Sequence, residues 1–104
     1  MNTYDLLKQA IESKRNVTFL YDALPRVCSP HALGLKKGKY NCLVYQFAGE
    51  TSKGPVTGDG PQNWKCLLLE KIESLAFTDG EWHTSDNHSV KASCIDEMLV
   101  EVKF

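Results

Sequence analysis

The chain contains no apolar run long enough to cross a lipid bilayer. It has 104 residues, and none of its hydrophobic stretches approaches the roughly 20 residues that a membrane-spanning helix needs. Residues 1–5 also lack the basic region and apolar run of a secretory signal. Because 42% hydrophobic and 24% charged residues are ordinary for a soluble protein, we expect one cytoplasmic domain with no membrane contact.

Arginine is scarce, since Arg15 and Arg26 are the only two in the sequence. A protein built to coat duplex nucleic acid usually carries more arginine than this. The charge is also divided along the chain: residues 1–71 hold ten Lys and Arg against six Asp and Glu, whereas residues 72–104 hold two against seven. The net charge of −1 therefore hides a positive first part, which can attract an anionic ligand.

The cysteines form no Cys-x-x-Cys pair. They are Cys28, Cys42, Cys66 and Cys94. Structural zinc sites normally show paired ligands at both ends, so a site built from Cys28 and His31 with His83 or His88 is a weak alternative. Each cysteine lies among apolar or β-prone neighbours, and we expect free thiols that pack as small hydrophobes. A disulfide framework is possible for an even count, but such frameworks are typical of secreted chains.

Catalytic motifs are absent as well. The sequence contains no Gly-x-Ser-x-Gly elbow, no Gly-rich phosphate-binding loop between a strand and a helix, and no His-Glu-x-x-His. Cys28 and His31 remain a conceivable nucleophile and base, but residues three apart in a strand point to opposite faces. We therefore predict a protein that is not an enzyme and needs no cofactor or metal.

The first segment, residues 3–15, has the apolar spacing of an amphipathic helix. Tyr4, Leu7 and Ile11 fall three and four residues apart. Asn2 or Thr3 is suited to cap its start. This pattern predicts a helix with one face toward a core, closed near residue 16.

The remainder of the chain predicts short strands joined by turns. Residues 17–21 are β-branched and aromatic, and a second strand begins at Arg26 after a turn at residues 22–25. Pro30 requires an edge or a bulge, because proline cannot donate a ladder hydrogen bond. Further predicted strands are residues 40–48, 64–69, 72–78 and 98–104, with a loop at 49–63. Apolar residues on both sides of 64–69 predict burial of both its faces.

These elements predict a mainly β domain with one N-terminal helix. We expect a small, strongly bent antiparallel sheet, closed or nearly closed as a barrel, and an open α+β sheet with the helix on one face is the alternative. The predicted single domain covers residues 1–104. It divides into a helix at 1–16, a barrel core at 17–78 and a C-terminal extension with the final strand at 79–104.

Three blocks of this sequence are distinctive: residues 26–34 read RVCSPHALG, residues 38–46 read GKYNCLVYQ and residues 64–72 read WKCLLLEKI. In that order they resemble the WYL-type regulatory domain of bacteria and their phages. The resemblance spans about residues 4–82. It implies a barrel of the Sm-like or SH3-like type behind an N-terminal helix. Family members are ligand-responsive regulators, often encoded beside CRISPR or other antiphage systems, and we expect here a free-standing form without a DNA-binding helix-turn-helix.

The resemblance also points to a ligand site. The predicted ligand-binding residues are Arg26, His31, Tyr45 and Lys65, with Tyr40, Trp64 and Gln46 as stacking or rim residues. Lys65 stands where the family has arginine. Cationic side chains supply donors and charge for phosphate, histidine donates from either ring nitrogen, and tyrosine can stack on a base. Each residue also has a structural alternative, such as an edge-strand charge for Arg26 or core packing for Trp64.

We therefore predict a non-catalytic regulatory module. Its expected ligand is an anionic nucleotide or a short single-stranded nucleic acid, in a setting of antiphage defence or phage counter-defence. The alternative is a protein-interaction adaptor that uses the exposed edge of the strand at residues 98–104. Expected partners in either case include a larger defence or regulatory protein or further copies of the chain.

Overall fold

One helix precedes a run of strands in the part of the chain that the computed structural model describes, residues 2–51, 54–56, 63–84 and 95–103. The elements are α1 (Thr3–Ser13), β1 (Asn16–Tyr21), β2 (Leu24–Lys36), β3 (Lys39–Thr51), β4 (Gly54–Pro55), β5 (Trp64–Leu68), a 3-10 turn (Leu69–Lys71), β6 (Ile72–Thr78) and β7 (Glu97–Glu101). No helix among these residues is long and apolar enough to span a membrane.

Helix α1 begins and ends at polar residues. The Asn2 side chain accepts a hydrogen bond from the backbone N–H of Asp5 at 2.9 Å, which caps the first turn. Lys14 ends the helix in the left-handed conformation, with φ 52°. The predicted helix is confirmed, but it closes at Lys14 and not near Asn16, because Lys14 takes the left-handed conformation and Asn16 is already the first residue of β1.

The strands form a curled antiparallel sheet of half-barrel shape, which confirms the mainly β prediction. Strands β2 and β3 form its long central hairpin, and β6 pairs with β1. On the other side of β2, β1 pairs with residues 24–28 and β7 with residues 32–35. On the other side of β3, β5 pairs with residues 41–45 and β4 with residues 50–51. Strand β2 therefore has partners along both of its edges.

The two faces of the sheet carry two separate cores. On one face, called the helix face below, Val17, Cys28 and Val44 pack with buried residues of α1. On the other, the aromatic face, Tyr45 and Trp64 pack with Ala32, Leu43 and Ile95. Because successive side chains of a strand alternate between faces, the register decides which core each candidate site residue joins.

Interruptions of the register lie beside the candidate site. Arg26 is opposite Gly49 and Cys28 is opposite Gln46, so Phe47 is an extra residue in β3. Pro30 is opposite Val44 and Ala32 is opposite Leu43, which leaves His31 as an extra residue in β2. The predicted edge or bulge at Pro30 is thereby confirmed as a bulge at the next residue, His31. Such β-bulges bend a strand and re-aim its side chains.

Several strand boundaries differ from those predicted from the sequence. Strand β2 begins at Leu24 and not at Arg26, because a two-residue turn at Asp22 and Ala23 already reverses the chain. Part of the predicted 49–63 loop is the short strand β4, and residues 52–53 and 57–62 lie outside the described part.

The cysteine prediction is correct for the two thiols on the helix face. Cys28 and Cys42 are free and buried. It is wrong for Cys66, which is disulfide-bonded and exposed. The exposure of Cys66 also contradicts the predicted burial of both faces of strand β5. Cys94 lies outside the described residues.

Candidate functional site

The predicted ligand residues separate into two groups on opposite faces of the sheet. Arg26 and Gln46 lie on the helix face, in register with Phe19 and Cys28 respectively, and Lys65 joins them opposite Val44. Ser29, Tyr45 and Trp64 are paired on the aromatic face. The structure therefore places Arg26, Gln46 and Lys65 on one face of the sheet, and His31, Tyr45 and Trp64 on the other.

Arg26 is a buried cation with weak hydrogen bonds. Its side chain is only 5% exposed. Nη1 donates to Gln46 Oε1 at 3.4 Å and Nη2 to the Tyr21 carbonyl oxygen at 3.5 Å, both longer than the usual range of about 2.7–3.2 Å. Nε is buried with no hydrogen-bond partner. The guanidinium also lies over the Tyr21 ring, 5.1 Å from its centroid.

No carboxylate neutralises Arg26 among the described residues. The ion pair present in that part of the chain joins Lys39 to Glu70 at 3.0 Å, and both of these side chains are exposed. A buried charge is ordinarily paired with an opposite charge, because its transfer out of water is costly. Arg26 is an exception to this rule.

Gln46 holds a fixed acceptor against Arg26. Its Nε2 donates to the carbonyl oxygens of Ala48 at 3.1 Å and Glu50 at 3.0 Å, so Oε1 stays directed at the guanidinium. The orientation of this amide thus follows from its two backbone acceptors. Gln46 is fully buried and serves to position Arg26.

Both cations of the helix face influence the pKa of the Cys28 thiol. Burial raises the pKa of Cys28 well above its ordinary value, and the nearby Cys42 raises it further. The positive charges of Arg26 and Lys65 both oppose that rise. Arg26 and Lys65 therefore act on the same buried point, as expected if their charges converge on one side of the sheet.

His31 is embedded in a polar network on the other side. Its Nδ1 lies 2.7 Å from the Ser29 carbonyl oxygen and its Nε2 2.9 Å from Thr84 Oγ1. Ser29 Oγ donates to Asn16 Oδ1 at 2.6 Å and accepts from the His83 N–H at 2.8 Å. This network fastens the segment after β6 to strands β1 and β2. The ligand role of His31 stays a prediction.

Aromatic rings surround His31. Trp82 stacks on the imidazole at 4.4 Å between centroids, and Trp64 meets it edge-on at 4.7 Å. Trp64 also meets Tyr45 edge-on at 5.1 Å. Tyr45 and Trp64 are both buried, so their rings pack on neighbouring rings within the protein. Their predicted roles toward a ligand stay predictions.

Tyr40 lies at the opposite end of β3, near the β2–β3 turn. Its ring is 49% exposed and meets Tyr4 edge-on at 5.3 Å. A groove of about 240 Å³ beside it is lined by Gly38, Lys39, Tyr40, Leu69 and Glu70. Because Gln46 and Tyr40 occupy opposite parts of β3, the predicted rim residues do not surround one site.

Three residues that shape these groups were not predicted from the sequence. Tyr21 lies under the Arg26 guanidinium, while Asn16 and Ser29 anchor the His31 network. A signal for Tyr21 was present, because it is separated from Arg26 by a tight turn that returns the chain alongside itself. Asn16 offered no such signal, since its partner Glu81 is far along the chain.

Comparison with known proteins finds no matching protein family, no similar curated protein and no similar solved structure. Within the described ranges, no group of three His, Cys, Asp or Glu residues is placed to hold a metal ion.

Proposed function

We propose that this protein is a non-catalytic binding module that takes an anionic, nucleotide-type ligand at Arg26. The observation that carries the proposal is a guanidinium that is 5% exposed and has no carboxylate partner among the described residues. Gln46 orients it, and Lys65 adds a second positive charge on the same face. A bound oxyanion would complete this site.

The free-energy contributions around Arg26 favour a ligand-binding role over a purely structural one. Burial of an uncompensated ion costs several kcal/mol in real proteins. A hydrogen bond to a charged group returns about 1.5–3 kcal/mol at good geometry, and the two bonds of Arg26 return less because they are long. The Tyr21 ring contributes about 0.5–2 kcal/mol as a cation–π partner. These terms leave the guanidinium incompletely compensated, whereas a phosphate would add charge-assisted bonds of normal length together with an opposite charge.

We expect Arg26 to lower the free energy of unfolding and to be required for nucleotide binding. We expect Arg26→Met to leave the free energy of unfolding unchanged or to raise it by up to about 2 kcal/mol, because the variant removes an unpaired buried charge. The same variant should lose binding of mononucleotides, cyclic nucleotides and short single-stranded RNA. Urea unfolding and isothermal titration calorimetry measure the two effects.

Two results would contradict this assignment. Nucleotide binding that persists in folded Arg26→Met shows that the ligand lies elsewhere. A loss of several kcal/mol of stability without any nucleotide binding by the wild type shows that Arg26 is a structural residue. Lys37→Gln is the matched control, because Lys37 is an exposed cation at the far end of β2.

The wider setting of this proposal comes from the resemblance of residues 26–34, 38–46 and 64–72 to WYL-type domains. On that basis we place the module in the Sm-like or SH3-like group of small barrels, and assign it a regulatory role in antiphage defence or phage counter-defence. The half-barrel sheet behind one helix is compatible with this. A cytoplasmic location belongs to the same proposal, although the Cys66 disulfide is a bond more typical of oxidising compartments.

A second candidate function is protein interaction through β7. Met98 and Leu99 are 38% and 43% exposed, and a groove of about 450 Å³ between α1 and β7 is lined by Lys8, Glu12, Leu99, Val100, Glu101 and Lys103. However, Leu99 has no partner in the ladder with β2, and a bulge on an edge strand disfavours pairing with another chain. Self-association in native mass spectrometry would favour this candidate.

A further inference from the structure

A hydroxyl and an imidazole form a close pair on the aromatic face of the sheet. His31 Nε2 lies 2.9 Å from Thr84 Oγ1. The imidazole is only 1% exposed, whereas Thr84 is exposed to solvent. The buried member of the pair is thus a base, and the member that a reagent can reach is a hydroxyl.

The tautomer of His31 follows from its other hydrogen bond. Nδ1 lies 2.7 Å from the Ser29 carbonyl oxygen, and a carbonyl oxygen can only accept. Nδ1 therefore carries the proton of the neutral ring, and Nε2 presents a lone pair. Since Nε2 accepts in this tautomer, the Thr84 hydroxyl is the donor, and its proton already points at the base.

The imidazole is held in place from two further sides. Trp82 stacks on it at 4.4 Å between centroids with an interplanar angle of 29°, and Trp64 meets it edge-on at 4.7 Å. A hydroxyl beside a base, with the base oriented by a third group, is the arrangement that activates serine and threonine nucleophiles. Here the third group is the Ser29 carbonyl oxygen.

We infer that Thr84 Oγ1 is a nucleophile that takes an acyl group from an activated ester, with His31 as its general base. Oγ1 forms a bond to the ester carbonyl carbon while its proton passes to His31 Nε2. The bond from that carbon to the leaving oxygen then breaks, and the leaving group departs with the electron pair. His31 returns the proton to the leaving oxygen. The products are an acyl-threonine ester and an alcohol.

The chemistry of the pair favours an acyl donor over a phosphoryl donor. Acyl transfer to a hydroxyl requires removal of its proton, which the lone pair on His31 Nε2 can accept. Phosphoryl transfer depends mainly on cations that neutralise charge on the transferred group. The groups that contact the imidazole are two indole rings, a carbonyl oxygen and a hydroxyl, and none of these four is a cation.

The test treats the folded protein with p-nitrophenyl acetate and locates the acetyl groups by peptide mass mapping. Alkaline hydroxylamine distinguishes the product, because it cleaves esters and leaves the amides formed at lysines. We expect an acetyl ester on Thr84, formed about 100-fold or more faster than on Ser13, in line with the usual contribution of a general base. Ser13 is an exposed hydroxyl that donates to the Gln9 carbonyl oxygen, which is no base.

Variants identify the nucleophile and the base. Thr84→Val keeps the shape of the side chain without its hydroxyl and should abolish the ester, whereas Thr84→Ser should retain it. His31→Gln removes the imidazole, and we expect the rate of Thr84 acetylation to fall about 100-fold or more. Ser13→Ala is the matched control and should leave this rate unchanged. Circular dichroism checks that each variant is folded.

Three results would overturn the inference. The first is acetylation of amines alone, with no ester on Thr84 of the wild type. The second is a Thr84 ester that forms no faster than the Ser13 ester, which shows an ordinary hydroxyl. The third is undiminished Thr84 acetylation in folded His31→Gln. The first two need no variant at His31, so the inference can fail even where that variant does not fold.

Discussion

Two residues in one turn of this protein adopt a left-handed backbone conformation that is unfavourable for residues with a Cβ atom. Asp22 and Ala23 form the two-residue turn between β1 and β2, and their φ values are 55° and 61°. Positive φ at both turn positions matches the right-handed twist of the flanking strands, and asparagine followed by glycine is the usual sequence there. Alanine is a poor choice at this position, because its Cβ crowds the backbone in the left-handed region.

Ala23→Gly should therefore stabilise the protein. We expect the free energy of unfolding to rise by about 0.5–1 kcal/mol, the relief of left-handed strain minus the added flexibility of the unfolded chain. Chemical unfolding measures the change. Ala76→Gly in strand β6 is the matched control, since Ala76 is also exposed but has no positive φ. That control should lose stability, and a loss in Ala23→Gly as well would show that the turn is not strained.

At Gly49, in contrast, the structure requires a residue without a side chain. Its φ is 88°, and an added Cβ would contact the Pro25 carbonyl oxygen and the Cα of Arg26. Glycine thus allows β3 to approach β2 directly opposite Arg26. The candidate site depends on this close approach, because a larger residue would displace the strand that carries the guanidinium.

At the scale of elements, the segment after β6 is held by side chains and not by a ladder. Strand β1 pairs with β2 up to Cys28 and β7 pairs with it from Ala32. Ser29 lies in the gap, where its hydroxyl bonds both Asn16 and the His83 N–H. Buried polar groups substitute here for strand pairing.

Ser29→Ala should loosen this segment. The variant leaves the buried Asn16 Oδ1 without its donor and the part-buried His83 N–H without its acceptor. We expect a stability loss of about 1–3 kcal/mol from the buried Asn16 oxygen alone, and faster amide hydrogen exchange at His83. Ser13→Ala, an exposed serine at the end of α1, should change neither quantity. Unaltered exchange at His83 in Ser29→Ala would contradict the proposed clamp.

The elements were more predictable from sequence than their contacts. Helix α1 follows from apolar spacing, and strand β1 follows from β-branched and aromatic composition, because these signals are local. The bulges at His31 and Phe47 depend on pairing between distant strands, so strict alternation could not assign faces beyond them. The burial of Arg26 and the enclosure of Tyr45 also arise from tertiary packing. For that reason the sequence indicated a single pocket where the structure has two groups.

At the scale of the whole molecule, the helix-face core contains two thiols that resist ionisation. Burial raises the pKa of both Cys28 and Cys42. The folded protein keeps these thiols protonated, whereas the unfolded chain ionises them above their ordinary pKa of 9.0. Their contribution to stability is thus fully present below about pH 9 and declines as the pH rises toward the raised folded values.

The free energy of unfolding should accordingly fall between pH 8 and pH 10. The loss is at most about 1.4 kcal/mol per pH unit for each thiol, and urea unfolding at several pH values measures it. Cys28→Ala and Cys42→Ala should each reduce the slope. Val17→Ala, a truncation in the same core, should lower stability equally at every pH. A slope that is identical in all four proteins would show that neither thiol is responsible.

The position of β7 in the chain has a consequence for synthesis in the cell. Leu33 is completely buried, and residues 32–35 of β2 pair with β7 on one side. Every other described strand is synthesised before β7, so this apolar stretch of the nascent chain has an open edge until β7 has been made and pairs with it. Such edges are sites of aggregation. Slow elongation beyond β6 should therefore increase misfolding of the newly made protein, and a chaperone that covers extended apolar segments should reduce it.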